Sequence, residues 1–217
     1  MEQFLIHQID KEYNSIYEDA LNATQMEHSE ARYARFYNTL QFYKQSRDLF
    51  GVTAEAGCWR GLFSYMLLRY RSTKRISHAI FDSFEGLSEP SADDFGRYSE
   101  EEMKGRFSCS IDQVNRNLVK FDNVYLYKGW IPRVLYKADE ECNPVYSFVH
   151  VDVELFEPTY HCLKYFWSRM CKGGILVCDD CGYLSFPGSN KAMNKFCNEE
   201  RLSPIYLTTG NGVLIKR

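Results

Sequence analysis

The chain predicts an α/β fold. Its expected form is a mostly parallel, seven-stranded sheet with helices on both faces, a C-terminal antiparallel hairpin and additional N-terminal helices. Three observations carry this. From residue 52 onward, short apolar runs alternate with stretches of helical length, as parallel strands joined by crossover helices do. The runs at 145–151 and 173–178 are apolar almost throughout, as strands covered on both faces are. Finally, Thr208-Thr209-Gly210-Asn211-Gly212 is too short to hold a crossover helix, so the two strands it joins must pair antiparallel.

Residues 1–50 read as a helical extension. Tyr33, Phe36, Tyr37, Leu40 and Tyr43 recur at spacings of three and four, an apolar stripe suited to packing on a main domain at 51–217. Some of that stripe is also placed to wall a substrate pocket. The expected strands are Val52–Ala56, Ile76–Asp82, Asn123–Lys128, Val145–Asp152, Gly174–Asp179, Pro204–Leu207 and Gly212–Lys216. Helices are expected at Leu62–Tyr70, Ile111–Phe121, Glu157–Met170 and Ser189–Glu200. Ser83 to Arg106 breaks the alternation. It is long and polar and follows the second strand at its carboxyl end, where a loop can close over a ligand. Alternating units followed by a terminal hairpin form the strand pattern of the class I methyltransferase fold, a Rossmann-like arrangement; fold alone does not fix function.

Composition narrows the class. With 217 residues, 45% apolar and 25% charged, the chain suits one soluble domain with a sizeable core. The net charge of −3 gives no electrostatic basis for binding nucleic acid or an anionic membrane. No apolar run has the length of a signal-peptide core or a membrane span, and the eight cysteines suit a reducing compartment, so a cytoplasmic location is expected. Cys178-Asp179-Asp180-Cys181 is formally a CxxC, but a zinc site needs a second pair and the sequence has none at similar spacing.

The chemistry lies at the strand ends, where open parallel sheets bind ligands. Asp152 closes one strand, and Asp179 and Asp180 close the next. Hard carboxylates converging there seat a divalent cation such as Mg²⁺. The blander alternative is that all three are solvated strand-end caps. Glu55-Ala56-Gly57-Cys58-Trp59-Arg60-Gly61 joins the first strand to the first crossover helix. It is neither GxGxxG nor a GxxxxGK[ST] phosphate loop, which disfavours dinucleotides and P-loop nucleotides. An acidic residue two positions before a single glycine suits a cofactor with a cationic amino-acid end, such as S-adenosylmethionine. Gly57 would admit a ligand to the backbone, and Gly61 would allow close packing at the helix start. Asp82, ending the second strand, can accept hydrogen bonds from ribose hydroxyls. Gly129 and Trp130 follow the third strand, where they can flank a base.

These segments resemble the metal-dependent sugar O-methyltransferases of the macrocin and mycinamicin type. The resemblance spans about residues 50–200 and rests on Glu55–Gly61, Asp82-Ser83-Phe84-Glu85-Gly86, Lys128-Gly129-Trp130, His150–Thr159 and Gly173–Asp180, with Pro187-Gly188 and Lys191-Ala192 leading into the next helix. It implies that Glu55, Gly57 and Asp82 bind S-adenosylmethionine and that Asp152, Asp179 and Asp180 hold Mg²⁺. There are departures. The family tends to have Asp-Val-Asp-Leu-Tyr where this chain has Asp152-Val153-Glu154-Leu155-Phe156. The more distant catechol methyltransferases place a lysine base where Leu155 stands, so a base of that kind is absent.

The expected function is therefore Mg²⁺-dependent transfer of a methyl group from S-adenosylmethionine to a hydroxyl of a sugar or saccharide-containing small molecule. The expected cofactor shell is Glu55, Ala56, Gly57, Trp59, Gly61, Asp82, Ser83, Phe84, Gly129, Trp130 and Asp152. Proton acceptors are sought among Asp152, Glu154, His150 and Glu157. Three alternatives stay open: a catechol-like diol as acceptor, a metal-dependent hydroxylase relative with His150 and His161 near Asp152, and a non-catalytic binding protein of the same fold. Neither a nucleic-acid nor a membrane partner is expected. The sequence sets no oligomeric state, and a homo-oligomer is left open.

Overall fold

The apolar runs form the sheet. The computed structural model describes residues 5–71 and 76–217, so the helical reading of residues 1–4 lies outside the described residues. Its strands are β1 (Val52–Ala56), β2 (His78–Asp82), β3 (Val124–Lys128), β4 (Tyr146–Val151), β5 (Met170–Cys178), β6 (Ile205–Tyr206) and β7 (Gly212–Ile215). The order across the sheet is β3-β2-β1-β4-β5-β7-β6. Strands β1 to β5 pair in parallel, and β7 runs antiparallel to both β5 and β6. This is the seven-stranded, mostly parallel sheet with a terminal hairpin that the sequence predicts. The chain winds outward in opposite directions from β1 and β4, so their carboxyl ends flank the topological switch point, where such sheets bind ligands.

Three helices precede the sheet: α1 (Ile6–Ile9), α2 (Lys11–Thr24) and α3 (Glu30–Ser46). Side-chain caps start two of them. Asp10 accepts from the Tyr13 N–H at α2, and Ser29 accepts from the Arg32 N–H at α3. The crossover and connecting helices are α4 (Leu62–Tyr70), α5 (Glu100–Met103), α6 (Ile111–Leu118), α7 (Tyr136–Glu141), α8 (Phe156–Arg169) and α9 (Pro187–Glu200). Among the described residues, no helix is long and apolar enough to cross a membrane.

Strand alternation divides the core into two layers. On one face Phe148, Val177 and Ile80 pack against Ile16, Tyr17, Phe36, Leu40 and Tyr43 of the N-terminal helices and Phe63 of α4. On the other, Val149, Val151 and Leu176 pack against Leu163 and Phe166 of α8 and Phe196 of α9. Full burial of a large side chain contributes about 1.5–3 kcal/mol. The aromatic stripe of α3 is therefore mainly core: Leu40 and Tyr43 have no exposed surface, and Phe36 alone of the stripe reaches the cavity described below.

The long segment after β2 has structure of its own. Leu87 and Arg106 bond through the Leu87 N–H (2.9 Å), and the Gly105 N–H reaches the Leu87 carbonyl (2.9 Å), which pins its two ends together. Asp94 fixes the middle. Its Oδ2 accepts from the Ser91 N–H and hydroxyl (both 2.7 Å), and its Oδ1 accepts from the Phe156 N–H at the start of α8 (2.6 Å). Leu87 and Met103 add a small apolar cluster with Leu155 and Phe186. The segment is a packed cover held against the carboxyl end of the sheet.

Candidate active site

A cavity of about 330 Å³ opens above the carboxyl ends of β1, β2, β4 and β5. One side is built by the β1–α4 turn. Gly57 has φ +79°, and a Cβ there would lie 1.9 Å from the Asp152 carbonyl oxygen. The glycine thus lets the ends of β1 and β4 close on each other: its N–H reaches the Phe81 carbonyl (2.9 Å), and the Asp152 N–H reaches the Ala56 carbonyl (2.8 Å). The backbone of Asp152 fills the space a side chain at 57 would need, and Gly57 itself lines the cavity. Gly61 has φ +82° and caps α4, and a Cβ there would meet only side-chain atoms at 3.5 Å or more.

Asp82 organises the same turn. Its Oδ2 accepts from the N–H groups of Cys58 (2.7 Å) and Trp59 (3.3 Å), and its Oδ1 accepts from the Phe84 N–H (2.7 Å). A carboxylate offers about four lone-pair positions, so these three bonds lock the rotamer and leave about one position for a ligand. Asp82, Ser83, Gly57, Trp59, Gly129 and Trp130 line the cavity. Of the remaining expected cofactor residues, Ala56, Gly61 and Phe84 are buried behind that lining.

The carboxylates share the cavity lining with this turn. Asp152, Glu154 and Asp180 each present an oxygen within 4.8 Å of the others, and His150, Asp152 and Asp179 form a second group of the same tightness. Asp152 belongs to both. Adjacent strand-end residues point apart: Asp180 lines the cavity with Asp152 and Glu154, whereas Asp179 has no exposed surface and lies behind them. Burial and the neighbouring negative charges push the carboxyls of Asp152 and Glu154 well above the usual range and that of Asp180 up to about 6. Burial also opposes charge on Asp179, but Arg35 and His150 outweigh it and hold that carboxyl below its ordinary value. The cavity-facing cluster is thus short of positive charge. Buried and half-buried carboxylates crowded at this spacing fit a hard divalent cation.

His150 sits beneath the cavity with no exposed surface and does not line it. Its Nδ1 lies 3.1 Å from Glu55 Oε1 and its Nε2 3.5 Å from Asp179 Oδ1. Burial opposes its charge, yet the two carboxylates prevail and push it up to about 10. Such an imidazole holds carboxylates in place and has no path to an acceptor hydroxyl, so its place as a proton acceptor is not supported by this geometry. Glu55 lines the cavity but is only 1% exposed, and its carboxylate is engaged by His150 and by a short hydrogen bond from the Ser64 hydroxyl. Ser64 in turn meets His78 Nε2 (2.8 Å), whose Nδ1 meets Thr53 Oγ1 (2.8 Å). Burial pushes His78 down to about 3, so it is neutral. Ser64 spends its proton on Glu55, so His78 Nε2 must donate and Nδ1 must accept from Thr53. A polar chain therefore runs under the sheet ends from Thr53 to Asp179.

Two other residues lie away from the cavity. Glu157 is exposed and pairs with His161 on α8 at 3.5 Å, so neither approaches the carboxylates. Arg35 is the residue that sequence reasoning missed. It reaches in from α3, with Nε 2.9 Å from Asp179 Oδ2 and Nη1 3.2 Å from Asp180 Oδ1. The available signal was a basic residue set directly beside the buried Phe36 in an otherwise core-facing helix.

The strand order and terminal hairpin are those of the class I methyltransferase fold, with the cavity at the carboxyl ends of its parallel strands. Residues 14–216 match the profile of the macrocin O-methyltransferase (TylF) family, and the chain belongs to that family. A demethyldecarbamoylnovobiocin O-methyltransferase from Streptomyces niveus is 24% identical over 156 residues, which is 67% of this chain and 58% of that protein. This chain therefore spans less than two thirds of that relative's length. Among solved structures, the calicheamicin methyltransferase CalS11 superposes with a TM-score of 0.73 at 16% identity, covering 99% of this chain and 98% of that one. The O-methyltransferase NovP does so at 0.68 and 19%, covering 84% and 79%. An O-methyltransferase from Bacillus cereus, solved in complex with SAH, gives 0.56 at 14%, covering 93% and 91%. At these identities the structures show a shared fold.

Proposed function

We propose that the protein transfers a methyl group from S-adenosylmethionine to a hydroxyl of a sugar or sugar-bearing small molecule, with Mg²⁺ at the acceptor site. The observation that carries this reading is the convergence of Asp152, Glu154 and Asp180 in one cavity with the Gly57–Trp59 turn and Asp82. Family membership and the names of its relatives support the sugar class. The eight free cysteines fit action in the cytoplasm.

The residues divide the work. The β1–α4 turn and Asp82 receive the nucleoside, with Gly129 and Trp130 beside the base. Asp152 and Asp180, with Glu154 beside them, would hold Mg²⁺, and Asp179 would support them from behind the cavity wall. When bound, the cation lowers the pKa of an acceptor hydroxyl and fixes its orientation, and S-adenosylmethionine supplies an electrophilic methyl. Glu154 faces the cavity, and no described residue donates to its carboxylate; burial and the neighbouring carboxylates favour its protonated form, so it would accept the hydroxyl proton only with a bound cation offsetting those charges. His150 keeps Asp179 and Glu55 in register. Trp59 and Phe107, in edge contact at 5.2 Å, with Tyr183 and Phe186 stacked at 5.9 Å, wall the cavity and exclude water. The same aromatic walls fit a planar catechol-like diol, which is the second reading.

Asp82→Ala should weaken S-adenosylhomocysteine binding by about 1.5–3 kcal/mol or more, roughly 10- to 150-fold, because it removes charge-assisted bonds and releases the amides that shape the turn. Calorimetry giving an unchanged affinity would remove Asp82 from the cofactor site. The function itself is tested with methyl-labelled S-adenosylmethionine and pooled nucleotide sugars, glycosides and catechols in Mg²⁺. Label in the sugar pools supports the first reading, label in the catechols the second, and label in neither contradicts both.

A further inference from the structure

Arg35 stands where a bound cation would be expected to find its ligands. Its guanidinium spans Asp179 Oδ2 (2.9 Å from Nε) and Asp180 Oδ1 (3.2 Å from Nη1), and the side chain is 19% exposed at the cavity wall. This is not a fully satisfied ion pair. Nε and Asp179 Oδ2 approach without an aligned hydrogen bond, so both are buried polar atoms without a directed partner. Within the cavity-facing cluster the guanidinium forms an ion pair with Asp180 and none with Asp152 or Glu154. The helix that carries Arg35 is anchored independently of it. Asn38 Nδ2 donates to Thr209 Oγ1 (3.0 Å), and Asn211 Nδ2 lies 3.4 Å from Thr39 Oγ1 and 2.6 Å from Asp179 Oδ1. The guanidinium can therefore swing toward the cavity while α3 stays in place.

We propose that Arg35 is a built-in competitor of the divalent cation: it holds a carboxylate oxygen of Asp180, a member of the cavity-facing cluster, and cation loading drives it off that carboxylate. This rests on the Mg²⁺ reading above. A guanidinium and a divalent ion on the same buried carboxylate repel strongly, because the low local dielectric screens them poorly. The arginine keeps the carboxylates ordered before loading. It also holds the intrinsic cation affinity low, so that tight loading awaits acceptor hydroxyls that complete the cation's shell.

The test is a Mn²⁺ titration, followed by electron paramagnetic resonance, of protein without cofactor or acceptor. Arg35→Gln should bind Mn²⁺ about tenfold more tightly than the wild type, or better, because a competing positive charge is gone. Arg35→Lys, which keeps the charge but cannot bridge two carboxylates, should fall between. Unaltered S-adenosylhomocysteine binding by Arg35→Gln certifies the fold. Equal or weaker Mn²⁺ binding by Arg35→Gln overturns the inference alone, whereas no binding by any of the proteins overturns it together with the Mg²⁺ reading. Should Arg35→Gln fail to fold, the wild type decides: the Arg35 Nε–H resonance, identified by its loss in Arg35→Lys, should move on adding Mg²⁺, and a resonance that stays put overturns the inference.

Discussion

Asp180→Asn should abolish most methyl transfer while stabilising the cation-free fold. The substitution keeps the shape of the side chain but removes one of the charges that attract the divalent ion. Its expected cost is roughly 10³-fold in turnover, about 4 kcal/mol of transition-state stabilisation. S-adenosylhomocysteine affinity should stay nearly constant, because Asp180 belongs to the carboxylate cluster proposed for the cation and makes no hydrogen bond to the turn that Asp82 organises. Stability should move the other way. Burial and Asp179 push the Asp180 carboxyl up to about 6 in the folded protein, above its ordinary value. The folded state thus holds that proton more tightly than the unfolded chain does, and the charged form weakens the fold at neutral pH. In the wild type this cost is relieved as pH falls through about 6. Asparagine removes it, so the variant should melt higher than the wild type at pH 7 in EDTA. A strand-end capping aspartate would give the reverse result, a lower melting temperature with activity retained.

Gly57→Ala should be the most damaging small substitution at the site. Residue 57 has φ +79°, and the added methyl would sit 1.9 Å from the Asp152 carbonyl oxygen. Left-handed strain and forced separation of β1 from β4 together cost about 3–5 kcal/mol. For a chain of this size that lowers the melting temperature by roughly 6–20 °C. Cofactor binding should fail with it, because the same contact fixes the turn that Asp82 organises. Gly61→Ala is the control. Its φ of +82° is similar, but the new methyl meets nothing closer than 3.5 Å. Its cost should be about 1–2 kcal/mol, the left-handed penalty alone. If both variants melted alike, the close approach of β1 and β4 would not be what requires glycine at 57.

The sheet was legible because its central strands are apolar on both faces, and the strand-end acids were legible because a carboxylate closing such a run has few structural uses. Less legible was the direction in which each side chain points. Asp179 and Asp180 look equivalent in sequence, yet consecutive residues leaving a strand face opposite ways, so one joins the buried polar chain and the other enters the cavity. His150 looked like a proton acceptor beside Asp152. Strand alternation instead places it on the face covered by α3 and α4, 4.1 Å ring to ring from Phe63. Strand β5 begins at Met170, earlier than the expected Gly174, because Gly173 with φ +83° bulges the strand without ending it. The 3₁₀ turn Arg133–Leu135 and helix α7 were missed because each is too short for helical periodicity to register. Arg35 lies 145 residues from Asp180 in sequence, and only the packing of α3 on the sheet brings them together.

The most direct measurement is the rate of methyl transfer to the acceptor pool after exhaustive dialysis against EDTA, before and after adding Mg²⁺, with cofactor binding followed in the same samples by calorimetry. A metal-assisted acceptor site predicts that chelation stops transfer, that Mg²⁺ restores it, and that S-adenosylhomocysteine binds equally in both conditions. Transfer at full rate in EDTA would contradict the account, and Asp152, Glu154 and Asp180 would then have to act without a cation.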